Sequence, residues 1–323
     1  MKDPSVNENA FEIVKEMMDK KEQLNCTVKE QGNGATLIDA GIDASGGIEA
    51  GRLVGEICLG GLGTVRITHQ HVGDMTFPAV VVSTDHPKIA TMGSQFAGWL
   101  VDIKGDEGKY FAMGSGPARA LAVVEKKLYK ELDYKDKAKV GVIVLETRTP
   151  PPEFATNFIA EKCGISTSDL YCVMTPTACV AGSVQISARV VEVGVHKLHE
   201  LKFDPSKIRA GHGVAPIGPV AKNDNKAMGV TNDCILYAGR TFYFIRPDEE
   251  DDLADLAEKA PSSASKQYGQ PFFKLFKSFE FDFYKVDPLL FSPAEITLND
   301  IVKGKTYKAG YVNAEVLKQS FGM

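Results

Sequence analysis

Val140-Gly141-Val142-Ile143-Val144-Leu145-Glu146 places five aliphatic side chains and one glycine ahead of a single carboxylate. An apolar run of this length reads as a strand buried on both faces, and it is far too short to span a bilayer. Pro150-Pro151-Pro152 breaks the chain just beyond it. A second strand is expected at residues 170–174, followed by a helix at residues 183–200. Working outward, residues 117–132 read as an amphipathic helix opened by Pro117, which is tolerated at a helix start. Residues 5–24 read as a helix capped by Ser5, with Phe11, Val14 and Met18 on one face. Residues 64–68, 79–83, 234–237 and 241–245 carry strand composition. The run Asp248-Glu249-Glu250-Asp251-Asp252 suits a solvated helix start. Strands and helices intermix along the whole length, so the fold class is α/β (mixed α+β).

The chain has 323 residues, 44% of them hydrophobic and 24% charged, which leaves ample material for a core. Its length suits two modest domains, expected as residues 1–175 and 176–323 with interleaving segments allowed. Met113-Gly114-Ser115 precedes a helix carrying Arg119, and Ala181-Gly182-Ser183 precedes one carrying Arg189, a faint internal echo of related halves. A formal charge of −5 gives no general attraction for nucleic acid or an anionic membrane. The first residues lack the apolar stretch of a secretory signal, and a cytoplasmic location is expected. Cys26, Cys58, Cys163, Cys172, Cys179 and Cys234 form no Cys-x-x-Cys pair and read as reduced core thiols.

Chemistry concentrates in three places. On a helix from Ser183, the side chains of Gln185, Arg189, Glu192 and His196 form one narrow stripe, with aliphatic residues covering most of the remaining circumference. Burying Arg and Glu costs several kcal/mol unless they are paired or face a polar cavity, so the stripe would line a pocket or an interface. Periodicity alone favours the plainer alternative, a surface Arg189–Glu192 pair worth roughly 0.2–0.5 kcal/mol. A strand would instead put the two residues on opposite faces. The second place is a set of Gly-Ser pairs, Gly93-Ser94, Gly114-Ser115 and Gly182-Ser183. Such turns let a ligand approach the backbone, although serine is also an ordinary helix cap. Gly114-Ser115-Gly116 stands out because two glycines flank the serine. The third is Glu146, at a strand end where α/β folds often place a site. His69 and His71 share a face on a strand but have no evident third ligand, and no metal is expected.

Longer segments carry a resemblance. Ile89-Ala-Thr-Met-Gly-Ser-Gln-Phe-Ala-Gly-Trp99, Tyr110-Phe-Ala-Met-Gly-Ser-Gly-Pro-Ala-Arg-Ala-Leu121, Ala188-Arg-Val-Val-Glu192 and Ala227-Met-Gly-Val-Thr-Asn-Asp-Cys-Ile-Leu-Tyr237 resemble the methenyltetrahydromethanopterin cyclohydrolase family. The resemblance runs through most of the chain in the expected order. Arginine is expected where Val230 stands, so Asn232 and Asp233 of that loop are not carried over as site residues.

The resemblance implies two related α/β sub-domains, an inter-domain pterin pocket, a homotrimer, and no metal or permanently bound cofactor. It implies a cytoplasmic enzyme of one-carbon metabolism acting on a tetrahydromethanopterin derivative, serving methanogenesis or its reverse. Glu192, Arg189 and Glu146 are then expected to be catalytic. Ser94, Gln95, Gly114, Ser115, Gly116 and Arg119 are expected to hold substrate, Arg119 by meeting an anionic group. The competing reading is a non-catalytic pterin-binding or carrier protein, which has no need of a water-activating carboxylate beside an arginine. An amidase-like hydrolase would need a nucleophile with its base, and none is evident.

Overall fold

The structure, a computed structural model, describes residues 3–105, 108–281 and 285–323. The chain begins with α1 (Val6–Asp19), β1 (Thr27–Glu30), β2 (Thr36–Asp39), α2 (Ile48–Cys58), β3 (Gly63–Val72) and β4 (Met75–Thr84). After a π-helical turn, Lys88–Gln95, come β5 (Trp99–Gly105), β6 (Gly108–Ser115), α3 (Ala118–Ala122) and α4 (Lys126–Leu132). Next are β7 (Gly141–Glu146), α5 (Glu153–Cys163), β8 (Leu170–Met174), α6 (Val180–Ser187) and α7 (Val190–Glu200). The remainder is β9 (Ile208–Pro216), α8 (Asp224–Ala238), β10 (Arg240–Ile245), α9 (Leu253–Lys259), α10 (Phe272–Ser278), β11 (Glu295–Asp300), β12 (Lys305–Gly310) and α11 (Ala314–Phe321). No helix among the described residues is long and apolar enough to cross a membrane.

Two compact units result, Met1–Gly63 with Ile89–Gln185, and Thr64–Lys88 with Ile186–Met323. The first is built on a mixed sheet of order β1-β2-β8-β7-β6-β5. Strands β2, β8 and β7 run parallel at its centre. Side chains alternate across β7. Ile143 and Leu145 pack with Trp99, Tyr110, Leu121 and Ile159, while Val142 and Val144 pack with Val14, Leu53 and Ile57. That two-sided burial is what the uninterrupted aliphatic run demands, and each such side chain contributes roughly 1.5–3 kcal/mol. The second unit carries the sheet β12-β11-β10-β9-β4-β3, with β10 and β11 parallel and the β12-β11, β10-β9 and β9-β4 pairs antiparallel. Val190, Val191, Val195 and Leu198 of α7 are fully buried, and α7 packs on β9, β10 and β4.

Strands expected at 64–68, 79–83, 140–145, 170–174 and 241–245 are present. Ser5 caps α1 by accepting the Glu8 N–H, and Asp252 caps α9 at the end of its acidic run. Three expectations need correction. The helix expected at 117–132 is two helices, divided where Val123 adopts φ 50°. That turn brings Glu125 back onto the buried Arg119 guanidinium, with Nη2 2.6 Å away. A left-handed residue costs about 1–2 kcal/mol, whereas a buried charge stripped of its partner costs about 3–5 kcal/mol, so the ion pair wins. Residues 234–237 are not a strand, and the Val230–Asp233 segment is not a loop: both lie inside α8. Asn223 caps that helix through the Lys226 N–H, and packing against α10 and α11 overrides the β-propensity of its aromatic and β-branched residues. The two halves of the internal echo also sit differently. Gly114-Ser115 ends a strand, while Gly182-Ser183 lies inside the first turn of α6.

Asp233 fastens three helices of the second unit. Its buried carboxylate accepts the Phe272 N–H at the start of α10 (2.9 Å) and the Ser320 hydroxyl of α11, while Lys226 Nζ donates to the Ser320 carbonyl (3.1 Å). Burial pushes the Asp233 carboxyl up to about 7 from an ordinary 3.8, against the downward pull of Ser320, Phe272 and Lys226. The folded chain therefore holds a proton that the unfolded chain releases near pH 4, and stability is lost as pH rises through about 7. Asp233→Asn should remove that dependence. Chemical-denaturation midpoints of the variant should fall less than those of the parent between about pH 4 and pH 7, and parallel curves would count against the account.

Candidate active site

The parallel strands β2, β8 and β7 end together, and their carboxyl edges carry polar groups on short loops, the usual place for a site in such sheets. At the end of β2, Asp39 accepts the N–H groups of Gly41, Ile42, Asp43 and Ala44 at 2.6–2.9 Å, which folds the following loop around one carboxylate. Glu146 ends β7, where its Oε1 accepts the hydroxyl of Thr177. Thr177 lies in the loop after β8, and Arg148 Nη2 donates to the Ala178 carbonyl there at 3.3 Å. Cys179 Sγ accepts the Gly182 N–H and donates to the Pro176 carbonyl, drawing the loop onto the first turn of α6. Only glycine fits at 182, because a methyl would overlap the Pro176 carbonyl oxygen. The buried Ser183 hydroxyl has no hydrogen-bond partner among the described residues.

The two N-terminal Gly-Ser segments and Arg119 come together in the same unit. Ser94 is the penultimate residue of the π-helical turn, a form of helix frequent at functional sites. Its carbonyl accepts the Gly116 N–H and Arg119 Nη1, both at 2.9 Å, and its hydroxyl donates to the Cys58 carbonyl at 2.7 Å. Arg119 Nη1 also reaches the Met92 carbonyl, and Nε donates to Glu125 at 2.7 Å. The rings of Phe96 and Tyr129 lie 5.2 and 5.7 Å from the guanidinium carbon. Ser115 Oγ sits 3.6 Å from Cys58 Sγ, and Gly114 pairs with Trp99 of β5. Ser94, Gln95 and Arg119 are wholly buried. Arg119 directs its fork at protein carbonyls and Glu125 instead of presenting it to an anionic ligand.

Arg189 and Glu192 belong to the second unit. The continuous helix expected over 183–200 is broken between α6 and α7, so Gln185 does not share one helix with Arg189, Glu192 and His196. The Arg189 N–H turns back to the Ile186 carbonyl at 3.0 Å, and its own carbonyl accepts the Val193 N–H at 2.8 Å. Ser187 supplies a physical reason, since its hydroxyl leaves the helix to donate to the Pro216 carbonyl at the end of β9. Glu192 falls in the first turn of α7, where the helix dipole favours a carboxylate. Both side chains are buried, Arg189 at 9% exposure and Glu192 at 4%. This burial removes the surface-pair reading, because an exposed i,i+3 pair would be solvated.

Sequence reasoning missed Thr177. Its position three residues after a buried strand was the available signal, but nothing local ties it to Glu146, thirty-one positions earlier. His69 and His71 are exposed on β3, with His71 Nδ1 2.8 Å from the Thr76 hydroxyl. No group of three or more His, Cys, Asp or Glu side chains suited to a metal gathers among the described residues.

A family model described as Cyclohydrolase (MCH) matches residues 5–321. Methenyltetrahydromethanopterin cyclohydrolase of Methanocaldococcus jannaschii is 48% identical over 321 residues, covering 98% of each chain. The proteins of the same name from Methanococcoides burtonii and Methanobrevibacter smithii are 44% and 46% identical, each covering 98% or more of both chains. Likeness of this extent, running through both units and through every segment described above, places the chain in the MCH cyclohydrolase family.

Proposed function

We propose that this chain interconverts 5,10-methenyltetrahydromethanopterin plus water and 5-formyltetrahydromethanopterin. The observation that carries the reading is a buried arginine and a buried carboxylate three residues apart at the start of α7, in a chain related over nearly its full length to enzymes named for this reaction. The methenyl substrate carries an amidinium cation whose bridging carbon is electrophilic. Water adds its oxygen to that carbon and gives one proton to Glu192, the general base. The tetrahedral adduct then breaks its bond to one ring nitrogen, which takes up a proton, and the carbon remains on N5 as a formyl group. One proton is released overall. The negative charge of Glu192 also stabilises the cation as water approaches. Arg189 orients Glu192 with a planar, permanently charged fork.

Glu146 acts as a second carboxylate toward the pterin, oriented by Thr177. Ser94, Gln95 and Gly114-Ser115-Gly116 form the wall against which the pterin packs, and Arg119 holds that wall rigid from behind. The active form is a cytoplasmic homotrimer that works without a bound metal or prosthetic group, within the one-carbon chemistry of a methanogenic type of metabolism. A carrier protein with the same pocket would gain nothing from a buried carboxylate poised to take a proton from water.

Glu192→Gln should keep the fold and substrate binding but lose activity by a hundredfold or more, because an amide cannot accept the proton. Following the absorbance of the methenyl cofactor tests this, and near-parental turnover at an equal melting temperature would refute the assignment. Arg189→Lys keeps the charge and loses the fork. Turnover should fall about tenfold or more while the melting temperature moves little. Unchanged turnover would leave Arg189 with a purely structural role at the start of α7.

A further inference from the structure

Helix α7 rests on the second sheet through an arrangement that bears directly on where Glu192 stands. Tyr243 of β10 is completely buried beneath the helix, and its hydroxyl donates to the Val191 carbonyl at 2.8 Å. Val191 lies between Arg189 and Glu192 in the chain. Gly194, three residues and nearly one turn beyond Val191, lies on the same face and leaves room for the ring: a methyl there would overlap Tyr243 Oη and stand 2.9 Å from Cζ. Glycines also pave the strand below. A methyl at Gly211 would come within 2.8 Å of Val191 Cγ1, and one at Gly213 within 3.1 Å of Val190 Cγ1. The first turn of α7 is thus drawn onto the sheet more closely than any side-chain-bearing floor would allow, and one hydrogen bond fixes its height and rotation.

We propose that Tyr243 is a positioning residue for the cyclohydrolase reaction, setting Glu192 and Arg189 in register through its hydrogen bond to Val191 and its fit against Gly194. The inference rests on the reading of Glu192 as the general base. Burial pushes the Tyr243 hydroxyl far above its ordinary range, and the charge of Glu192 adds to the upward push. The phenol is therefore a permanent donor, and the Glu192 carboxylate is near enough to be felt. A base carried on the first turn of a helix moves with that turn, and a displacement of about 1 Å can cost on the order of a hundredfold in rate.

Tyr243→Phe removes the hydroxyl and leaves the ring to fill the space. Turnover should fall about tenfold per folded active site with KM changed less than about twofold, since an orienting role is expressed in the chemical step. Gly194→Ala should lower turnover further by wedging ring and helix apart. Combining it with Tyr243→Phe should recover part of that loss, because the overlapping oxygen is gone. Where Gly194→Ala fails to fold, Tyr243→Phe alone decides. A melting temperature lowered with parental turnover, or a raised KM with unchanged turnover, overturns the proposal. Glu192→Gln measured alongside separates the two readings. An inactive Glu192→Gln beside a fully active Tyr243→Phe defeats the positioning role alone, whereas a fully active Glu192→Gln defeats the base assignment and this inference with it.

Discussion

Two-sided burial of the parallel strands β2, β8 and β7 is the constraint on which the first unit depends. A strand covered on both faces must be apolar along its length, so polar groups can enter only where it ends. Asp39, Glu146 and Thr175 mark those ends, and the loops that follow them carry the polar contacts of the candidate site. The hydrophobic effect thus acts indirectly on the chemistry, by confining carboxylates to one edge of a rigid sheet. Such an edge suits a reaction that needs a fixed charge, because the strands cannot shift without exposing Val142, Ile143 and Val144 to water.

Buried charges elsewhere follow one rule. Each is surrounded by donors or acceptors that cost little further entropy, most of them backbone groups. Asp39 takes four N–H groups, and Asp136 takes the Ser5 hydroxyl with both nitrogens of Asn7. Arg119 spends its fork on Glu125 and on the carbonyls of Met92 and Ser94. A carboxylate or guanidinium without such partners would cost several kcal/mol. These contacts therefore also decide the path of the backbone, as the turn at Val123 demonstrates. Arg119 shows how a motif arginine can spend its whole fork on protein groups.

Much of the fold was readable along the chain. Aliphatic and aromatic runs announced β4, β7, β8 and β10, Ser5 and Asp252 announced two helix starts, and two of the glycine-serine pairs marked segments that meet in space. Ala188-Arg189-Val190-Val191-Glu192 stood out as a polar pair among valines, but periodicity alone favoured a surface pair, and only the structure buries both side chains. The helix limits were less legible. Nothing between residues 186 and 190 resembles a breaker, yet the helix divides there, where Ser187 bonds to Pro216, twenty-nine residues away. The stretch Cys234-Ile235-Leu236-Tyr237 has strand composition and forms helix because α10 and α11 bury it from two sides.

What the sequence by itself determined is the part governed by local pattern: mixed α/β class, the central strands, the caps, and the residue types on which the chemistry rests. Those follow from side-chain period and from short-range hydrogen bonding, which act within a few residues. Tertiary structure alone decided which polar groups are spent on protein, where long helices break, and how closely α7 approaches its sheet. Those outcomes depend on partners tens of residues distant, such as Tyr243 for Val191, and on the cost of leaving a buried charge or carbonyl without one. Close packing makes that cost decisive, since a buried polar group left without a partner forfeits the hydrogen bonds it had in water.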